Sequence, residues 1–561
     1  MPLQDEQMAQ VIDYQHQKEY TDSPATNLQE SGTVAPSTTT LGGRFAFRAT
    51  VVTVDRTPDG GYAAPNGATE SATAQPSRKF QTLAVLKSQL QTVEKQLAVQ
   101  PGSVALLFLR ANILDKMGSN LEARNAYSQV LQLDPSHVGA LNNLANLLVA
   151  AGNRVEARKL YTEAVARHPD DPMSRSNLAA LLIKEGEPEK VREHCEHALK
   201  IDPNFQQAHV GLSFAFAALG DPERASWHGR AAFQGRCVVP VAYRGEQPPI
   251  TVLELISTTR CLSRITNFLV DQVFQKYRIV TDFYHDGIVL PPHQLVVNSI
   301  GDADLAAEAL AGAQSLLAHT TAPVINPPAA VLATGRCDIA RRLSGVPGVI
   351  TPRIVTLSRE SLATPDAQTT LTSHGFEFPL LLRTPGFHGG ENFLLVETLA
   401  ELPAALAKLP GRDLTVIQYL DARARDGKTR KYRVMMINGQ LYPFHAAISS
   451  NWKVHYFSAE MADYPEHRAE DARFLENMSD VLGPRALAAL EQIQKTLGLD
   501  YGGIDFGLNE RGEVLLFEAN ATMAVDPPDA DTRWDYRRPF VGQIHRAVWK
   551  MLLDAAKVSC Y

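Results

Sequence analysis

The stretch from Tyr501 to Asn520, YGGIDFGLNERGEVLLFEAN, holds the side chains with the clearest chemical purpose. Two alternating runs flank Arg511-Gly512, so a hairpin centred there sets Asp505 opposite Glu518, with Asn520 two residues along on the same face. Ile504, Phe506, Leu508, Leu515 and Phe517 then fall on the core side, while Gly503 and Gly507 leave open space beside the carboxylates. Like charges directly opposite on a sheet repel, so two carboxylates and an amide on a cleared face call for a cation. Oxygen-only ligands suit magnesium, which keeps waters and completes its shell with substrate phosphates. The competing reading is an ordinary solvated hairpin face. Nucleophilic catalysis has no matching pattern: neither G-x-S-x-G nor H-E-x-x-H occurs, and Cys195, in HCEH, sits at a packing position.

The elements that must carry this hairpin alternate in type. ITVLELIS, YRIVTDFYH and HQLVVNSI read as strands, separated by helical stretches CLSRITNFLVDQVFQ and DLAAEALAGAQSLLAH, which predicts a small α/β domain over 249–348. Further strands at FPLLLRTPG, LTVIQYL and YRVMMING precede the hairpin in a domain over 349–555.

Between Lys79 and about Arg236 the sequence repeats itself. Pro101, Pro135, Pro169 and Pro203 are 34 apart, as are Gly118, Gly152, Gly186 and Gly220. Ala111, Ala145, Ala179 and Ser213 keep the same step, and so do Ala123, Ala157, Val191 and Ala225, and Tyr127, Tyr161, Cys195 and Gly229. Leu107 and Leu141 are followed in register by Arg175 and His209, so the third and fourth repeats diverge. The pattern resembles the tetratricopeptide repeat: paired helices with small residues where they touch, glycine ending the first helix and proline before the next repeat. The resemblance implies an all-α domain over 78–236. Its groove would be lined by Asn112, Asn142, Asn146 and Ser176 and would hold an extended peptide or protein partner, since asparagine pairs with both N–H and C=O. Solvated polar positions are the alternative.

Composition sets the frame. At 561 residues the chain exceeds the ~250 to 300 at which one core stops growing. Fifty-four Lys and Arg against 61 Asp and Glu give −7, with no basic block to grip nucleic acid. No window approaches the ~18 apolar residues of a membrane helix. Five scattered cysteines without a C-x-x-C pair, and an acidic, polar start, point to a reducing cytoplasm. Residues 1–77, rich in Thr, Ala, Ser, Gly and Pro, read as a disordered tail with one apolar island at Phe45 to Val54.

From about residue 250 the chain resembles the ATP-grasp ligases, the fold of glutathione synthetase and the ribosomal-protein glutamate ligases. The resemblance rests on IDF and FEAN, on VINPPAAVLATGRCDIARRL and GVPGVITPR, on FPLLLRTPGFHGGENF, and on VIQYL and YRVMMINGQLYPFHAAIS. The implied fold is a multidomain chain: helical repeats, a small α/β domain, then an α+β ATP-grasp domain. The implied activity is an ATP- and magnesium-dependent carboxylate–amine ligase working through an acyl phosphate. Asp505, Glu518 and Asn520 would hold magnesium. Gly389 and Gly390 would cover the phosphates, backbone groups of Gln418, Tyr419 and Leu420 would meet adenine, and Arg433 would face the γ-phosphate. Arg383 and Arg336 stand where most members place ATP-gripping lysines, and Lys431 where relatives often carry an acid; Asp421 or Asp426 would reach the ribose. The segment 445–471, with His445, Ser449, Asn451, His455 and Arg468, would wall the substrate site, and Arg537 and Arg538 offer further anion contacts. A ligase for a peptide held by the repeats, a small-molecule amino-acid ligase whose repeats mediate assembly or self-association, and a nucleotide-binding scaffold without turnover are the three functions compatible with these parts.

Overall fold

The structure, a computed structural model, describes residues 83–558 apart from 234–236, 260–261, 386–389, 391, 455, 457–458 and 530. The proposed N-terminal tail, Gly389 and His455 lie outside the described residues. The chain forms two compact units: residues up to Pro249 together with Asp271–Gln275, and Ile250–Val270 together with the chain from Lys276.

The first unit is built from α1 (Leu83–Val99), α2 (Val104–Met117), α3 (Asn120–Leu133), α4 (Val138–Ala150), α5 (Arg154–Arg167), α6 (Pro172–Glu185), α7 (Pro188–Ile201), α8 (Gln206–Ala218) and α9 (Pro222–Phe233). The 34-residue step recurs in the backbone. Gly118, Gly152, Gly186 and Gly220 all take φ between +74° and +84°, the left-handed conformation that ends a helix and that a side chain would strain. The first helices start on side-chain caps at matching positions: Ser103 Oγ, His137 Nδ1 and Asp171 Oδ2 accept from Leu106, Ala140 and Ser174 N–H. Small residues Ala111, Ala145 and Ala179, with Ala123, Ala157 and Val191, are buried where helices of a pair touch.

In the second unit, β1 (Ile250–Ile256), β3 (Leu295–Asn298) and β4 (Val324–Ile325) pair in parallel, with α10 (Ala307–Leu317) between the last two. The stretch 261–275, expected to be helical, instead makes one 3-10 turn at Arg264–Phe268, and β2 (Phe274–Val280) starts inside its end. The segment has apolar residues at helical spacing, but Phe274, Gln275 and Lys276 bury consecutively, as a strand covered on both faces does.

After β5 (Val349–Ile350), a four-stranded antiparallel sheet runs β6 (Ile354–Ser358), β9 (Asp413–Gln418), β7 (Leu380–Arg383), β8 (Phe393–Val396) across its width. Leu380, Leu382, Leu414 and Val416 alternate inward as its core. A five-stranded sheet runs β11 (Gln440–Ser449), β10 (Thr429–Ile437), β12 (Tyr501–Leu508), β13 (Val514–Asn520), β5. Helices α11 (Arg336–Leu343), α12 (Pro465–Glu476), α13 (Met478–Leu497) and α14 (Arg538–Val558) pack on it, α13 broken at Gly483-Pro484. Asn326 fixes where β12 begins: its Oδ1 accepts from Asp500 and Tyr501 N–H at 2.9 and 2.8 Å, and its Nδ2 donates to Tyr501 O at 2.8 Å.

Candidate functional site

The five-stranded sheet lines up the charged residues. In its register Arg433 lies opposite both His445 and Asp505, and Asp505 opposite Glu518. Directly opposed residues share a face, so His445, Arg433, Asp505 and Glu518 form one row across four strands, roughly 15 Å long at the ~4.8 Å strand spacing. Register shifts fall beside this row in two strand pairs, after Arg433 in β10–β11 and after Asp505 in β12–β13. Bulges of this kind re-aim side chains.

The second bulge corrects the hairpin expected from sequence. Asp505 pairs with Glu518 as expected, but Phe506 then pairs with Leu516 and Gly507 with Leu515. Leu516 is therefore in the core, and Phe517 is displaced to a half-buried position. The open space beside the glycines is also filled: a Cβ on Gly507 would meet Ala422 at 2.6 Å and Phe517 at 3.0 Å, and one on Gly503 would meet Met435 and Met523 at 3.0 Å. These glycines permit close packing of neighbours rather than clearing a cavity.

Cations close on the carboxylates from several elements. Arg433 donates to Asp505 from Nε at 2.6 Å and from Nη2 at 2.9 Å, and Lys431 Nζ adds a third bond at 3.0 Å. Burial would raise the Asp505 carboxyl, but Arg433 and Lys431 outweigh it and hold it far below the usual carboxylate range. Arg336, delivered by the start of α11, donates to Glu518 Oε1 at 3.0 Å, beside Asn520 Nδ2 at 3.0 Å. Burial would raise Glu518 too, but Arg336, Arg383 and Arg433 together outweigh it and lower it. Arg383, at the end of β7, is buried over the Phe393 ring at 5.7 Å; burial, then Arg336, pushes it down to about 10. Four cations, Arg336, Arg383, Lys431 and Arg433, gather around Asp505 and Glu518, and Asp302 and Asp304 line the cleft beside Glu518, so four positive charges meet four carboxylates.

A cleft opens at the Glu518 end. Ile354, Ile417 and Phe517 form its apolar part and Arg336, Glu518 and Asn520 its polar part. From β9 it is Ile417 that lines the cleft. Gln418 is exposed, its N–H donating to Arg353 O at 2.8 Å; Tyr419 and Leu420 are half-buried. Asp421 is bound by Arg423 at 2.6 Å and Asp426 by Arg430 at 2.9 Å.

No group of three or more His, Cys, Asp or Glu side chains among the described residues is disposed to hold a metal ion, so a magnesium ion would depend on the oxygens of Glu518, Asp505 and Asn520. Oxygen ligands are present and Glu518 accepts only through Oε1 among the described residues, leaving Oε2 for a cation. Asp505 is bound on both oxygens, and Asn520 Oδ1 accepts from Thr522 N and Oγ1 at 2.9 and 2.8 Å. Glu518 is the ligand in place; Asp505 and Asn520 would have to exchange partners to join it.

Lys453 is a residue that the sequence reading passed over. Its ammonium donates to the carbonyls of Gly390, where φ is +78°, and of Phe393, the latter at 3.4 Å. Burial, then Arg383, lowers its pKa. A single lysine in a polar stretch has no signature; only the fold brings it to the glycine-rich loop.

Of the other substrate candidates, Ser449 is buried, its Oγ accepting from Asn451 N–H at 3.1 Å, and Asn451 is exposed. Arg468 donates to Met461 and Ala462 carbonyls at 2.8 and 2.7 Å, and Arg538 to Pro528 and Asp529 carbonyls. His445 is 3% exposed and neither ring nitrogen has a hydrogen-bond partner among the described residues. Burial, then Arg433 and Arg537, holds it well below the usual histidine range, as a neutral ring. Thr429 Oγ1, His467 Nδ1 and Arg537 Nε are likewise buried without a hydrogen-bond partner among the described residues. Each such atom costs roughly 1–3 kcal/mol.

In the repeats, polar groups close on one another instead. Asn112 Oδ1 accepts from Tyr127 OH at 2.7 Å and from Asn143 Nδ2 at 3.1 Å, and one repeat later Asn146 Oδ1 accepts from Tyr161 OH at 2.5 Å. Asn142 donates to Val138 O and to Ser174 Oγ and accepts from Asn177. Of the residues expected to face a peptide, Asn142 is buried and engaged through both amide atoms, Asn112 and Asn146 are half-buried with Oδ1 turned to a tyrosine, and Ser176 is buried. Cys195 takes the tyrosine position in the third repeat and is buried, its thiol pushed up to about 12.

The tetratricopeptide-repeat profile matches residues 116–181. A search of curated proteins gives no match. Among solved structures, MamA from Desulfovibrio magneticus RS-1 is 20% identical over 27% of this chain and 85% of its own, with a TM-score of 0.25. YrrB, described as a TPR protein with an unusual peptide-binding site, is 17% identical over 27% of this chain and 78% of its own, TM-score 0.24. PilW, a type IV pilus biogenesis factor, is 19% identical over 27% and 70%, TM-score 0.25. No helix among the described residues is long and apolar enough to cross a membrane. The helical unit is thus made of tetratricopeptide repeats, followed by a mixed α/β region.

Proposed function

We propose that the second unit is an ATP-grasp-type carboxylate–amine ligase and that the repeats hold its peptide or protein partner. The observation that carries the reading is the row Arg433–Asp505–Glu518, whose Glu518 end meets Arg336 in a half-apolar cleft. The apolar part suits a nucleobase, and the guanidinium of Arg336 suits its phosphates. Arg336 and Arg383 would hold the polyphosphate, Glu518 would hold magnesium, and Arg433 would neutralise charge on the transferring group. Magnesium, when bound, supplies further neutralisation of phosphate charge. A substrate carboxylate oxygen bonds to the γ-phosphorus as the bond from that phosphorus to the β–γ bridging oxygen breaks, releasing ADP. An amine nitrogen then bonds to the carbonyl carbon of the acyl phosphate, phosphate leaves with the C–O bonding pair, and the nitrogen loses a proton.

Glu518→Gln keeps the size and removes the charge. With magnesium-ATP and pooled amino acids and peptides, it should lower ADP release at least 100-fold relative to the native chain. ADP release unaffected by Glu518→Gln would overturn the ligase reading. Nucleotide binding without turnover is the second reading. The closed bonding of Asp505 by Arg433 and Lys431 favours it, because those cations must yield before Asp505 can join a metal. Tight ATP binding with no ADP release from any pool would select it.

A further inference from the structure

In the register of the repeats, Arg175 and His209 follow Leu107 and Leu141 on the first helix, and His194 and His228 stand on the second helix where the second repeat has Leu160. The fourth repeat thus has two histidines, one on α8 and one on α9, where the second has two leucines. His209 is 6% exposed and His228 is half-buried. Their Nδ1 atoms lie 3.0 Å apart, and His209 Nε2 lies 3.0 Å from Pro203 O. A carbonyl only accepts, so His209 carries its proton on Nε2 and leaves Nδ1 bare. His228 then donates from Nδ1 to that bare nitrogen. One repeat earlier Arg175 Nε donates to Pro169 O at 2.8 Å, so both divergent repeats aim a donor at the proline carbonyl from this position. Phe216 stacks on the His228 ring at 5.5 Å and 15°, and Trp227 meets it at 4.7 Å and 89°.

We infer that the His209–His228 pair makes the fourth repeat the acid-sensitive end of the helical unit, a property that stands apart from the ligase reading. A proton has two places to go. On His209 Nδ1 it sets two N–H groups against each other at the 3.0 Å contact. On His228 Nε2 it keeps that bond but puts a charge among apolar rings and beside Arg224, whose guanidinium lies 4.3 Å over Phe216. The neighbouring groups offer little relief. Asp221 is bound by Arg224, and Asp202 accepts from Asn204 N–H. From α7, packed on α8, the titratable group at the contact is the Cys195 thiol against Gly211, which stays neutral. Burial, then His209 and Arg224, holds His228 down to about 4. The unfolded chain takes up its protons near the ordinary histidine value of about 6.5, so the contribution of the pair is complete above that value and is lost as pH falls toward the folded one.

The test is hydrogen exchange on the full chain at about pH 7 and about pH 4.5, corrected for the intrinsic rate at each pH. It compares segment 206–233 with segment 138–167, whose repeat has leucine at both positions. Protection of 206–233 relative to 138–167 should fall roughly tenfold or more on acidification. The double variant His209→Leu/His228→Leu rebuilds the Leu141 and Leu160 pattern, and should keep the native protection at pH 7 while losing the fall. In the native chain the His228 imidazole, followed by NMR, should titrate about one unit or more below the free side chain. Parallel loss of protection in the two segments of the native chain would overturn the inference whatever the variant does. So would a folded double variant that keeps the fall, or a His228 ring that titrates at the ordinary value.

Discussion

The repeats and the five-stranded sheet both bury polar side chains, and they differ in what most of those side chains meet. In the repeats most polar groups find one another: Asn112 takes Tyr127 and Asn143, Asn146 takes Tyr161, and Asn142 takes Ser174 and Asn177, while Ser176 Oγ and His194 Nδ1 stay without a hydrogen-bond partner among the described residues. In the sheet, charges are concentrated and some donors are left over, as with His445 and Arg537 Nε. A satisfied polar network specifies a fold, and an unsatisfied one keeps capacity for a ligand. Residue type does not separate the two cases, since an asparagine in a groove pattern and one in a structural ladder are the same letter.

The largest test of this contrast is Asp505→Asn. It leaves Arg433 and Lys431 buried without their counter-charge, and should cost roughly 3–5 kcal/mol in urea unfolding. A cost near zero would mean that the row is more solvated than its burial implies.

Asp471 gives a pH-dependent test. Burial outweighs Arg537 and raises its carboxyl to about 6, against 3.8 for the ordinary side chain. The folded state then holds a proton that the unfolded state has released, so its contribution is complete below the unfolded pKa and is lost as pH rises through the folded one. The stability advantage of the native chain over Asp471→Asn should shrink by about 2 kcal/mol between about pH 4 and pH 7. A flat difference would show that Arg537 at 3.8 Å keeps Asp471 ionised.

Within the repeats, Tyr127→Phe should cost about 1–2 kcal/mol, because it removes two bonds, Tyr127 OH to Asn112 and Asn143 to Tyr127 OH, and leaves only that between Asn143 and Asn112. Tyr161→Phe should cost less, because one bond, to Asn146, depends on that hydroxyl. Equal losses would dissolve the ladder interpretation. Smallest of all, Arg167→Ala on α5 breaks an exposed pair with Glu163 at 2.7 Å and should change stability by no more than ~0.5 kcal/mol.

The repeats were legible because their signal is multiplied: glycines in left-handed turns and alanines at helix contacts recur every 34 residues. The Asp505–Glu518 pairing was legible because a tight turn and two alternating runs fix a register locally. The bulge after Asp505 was not, since it is imposed by packing: Leu516 takes the core place that regular alternation assigned to Phe517. The 261–275 stretch misled for a related reason, its helical spacing being overridden where a strand is buried on both faces.

The sequence by itself determined local matters: which segments repeat, where the hairpin turns, and that two carboxylates oppose each other. The tertiary structure decided what those carboxylates meet. Arg336 reaches Glu518 across 182 residues, Arg433 reaches Asp505 across 72, and Lys453 reaches the Gly390 loop across 63. Such contacts depend on how separate elements pack, and no periodicity or turn signal encodes them. The same packing closed the asparagine ladder of the repeats and left His445 and Arg537 without an acceptor.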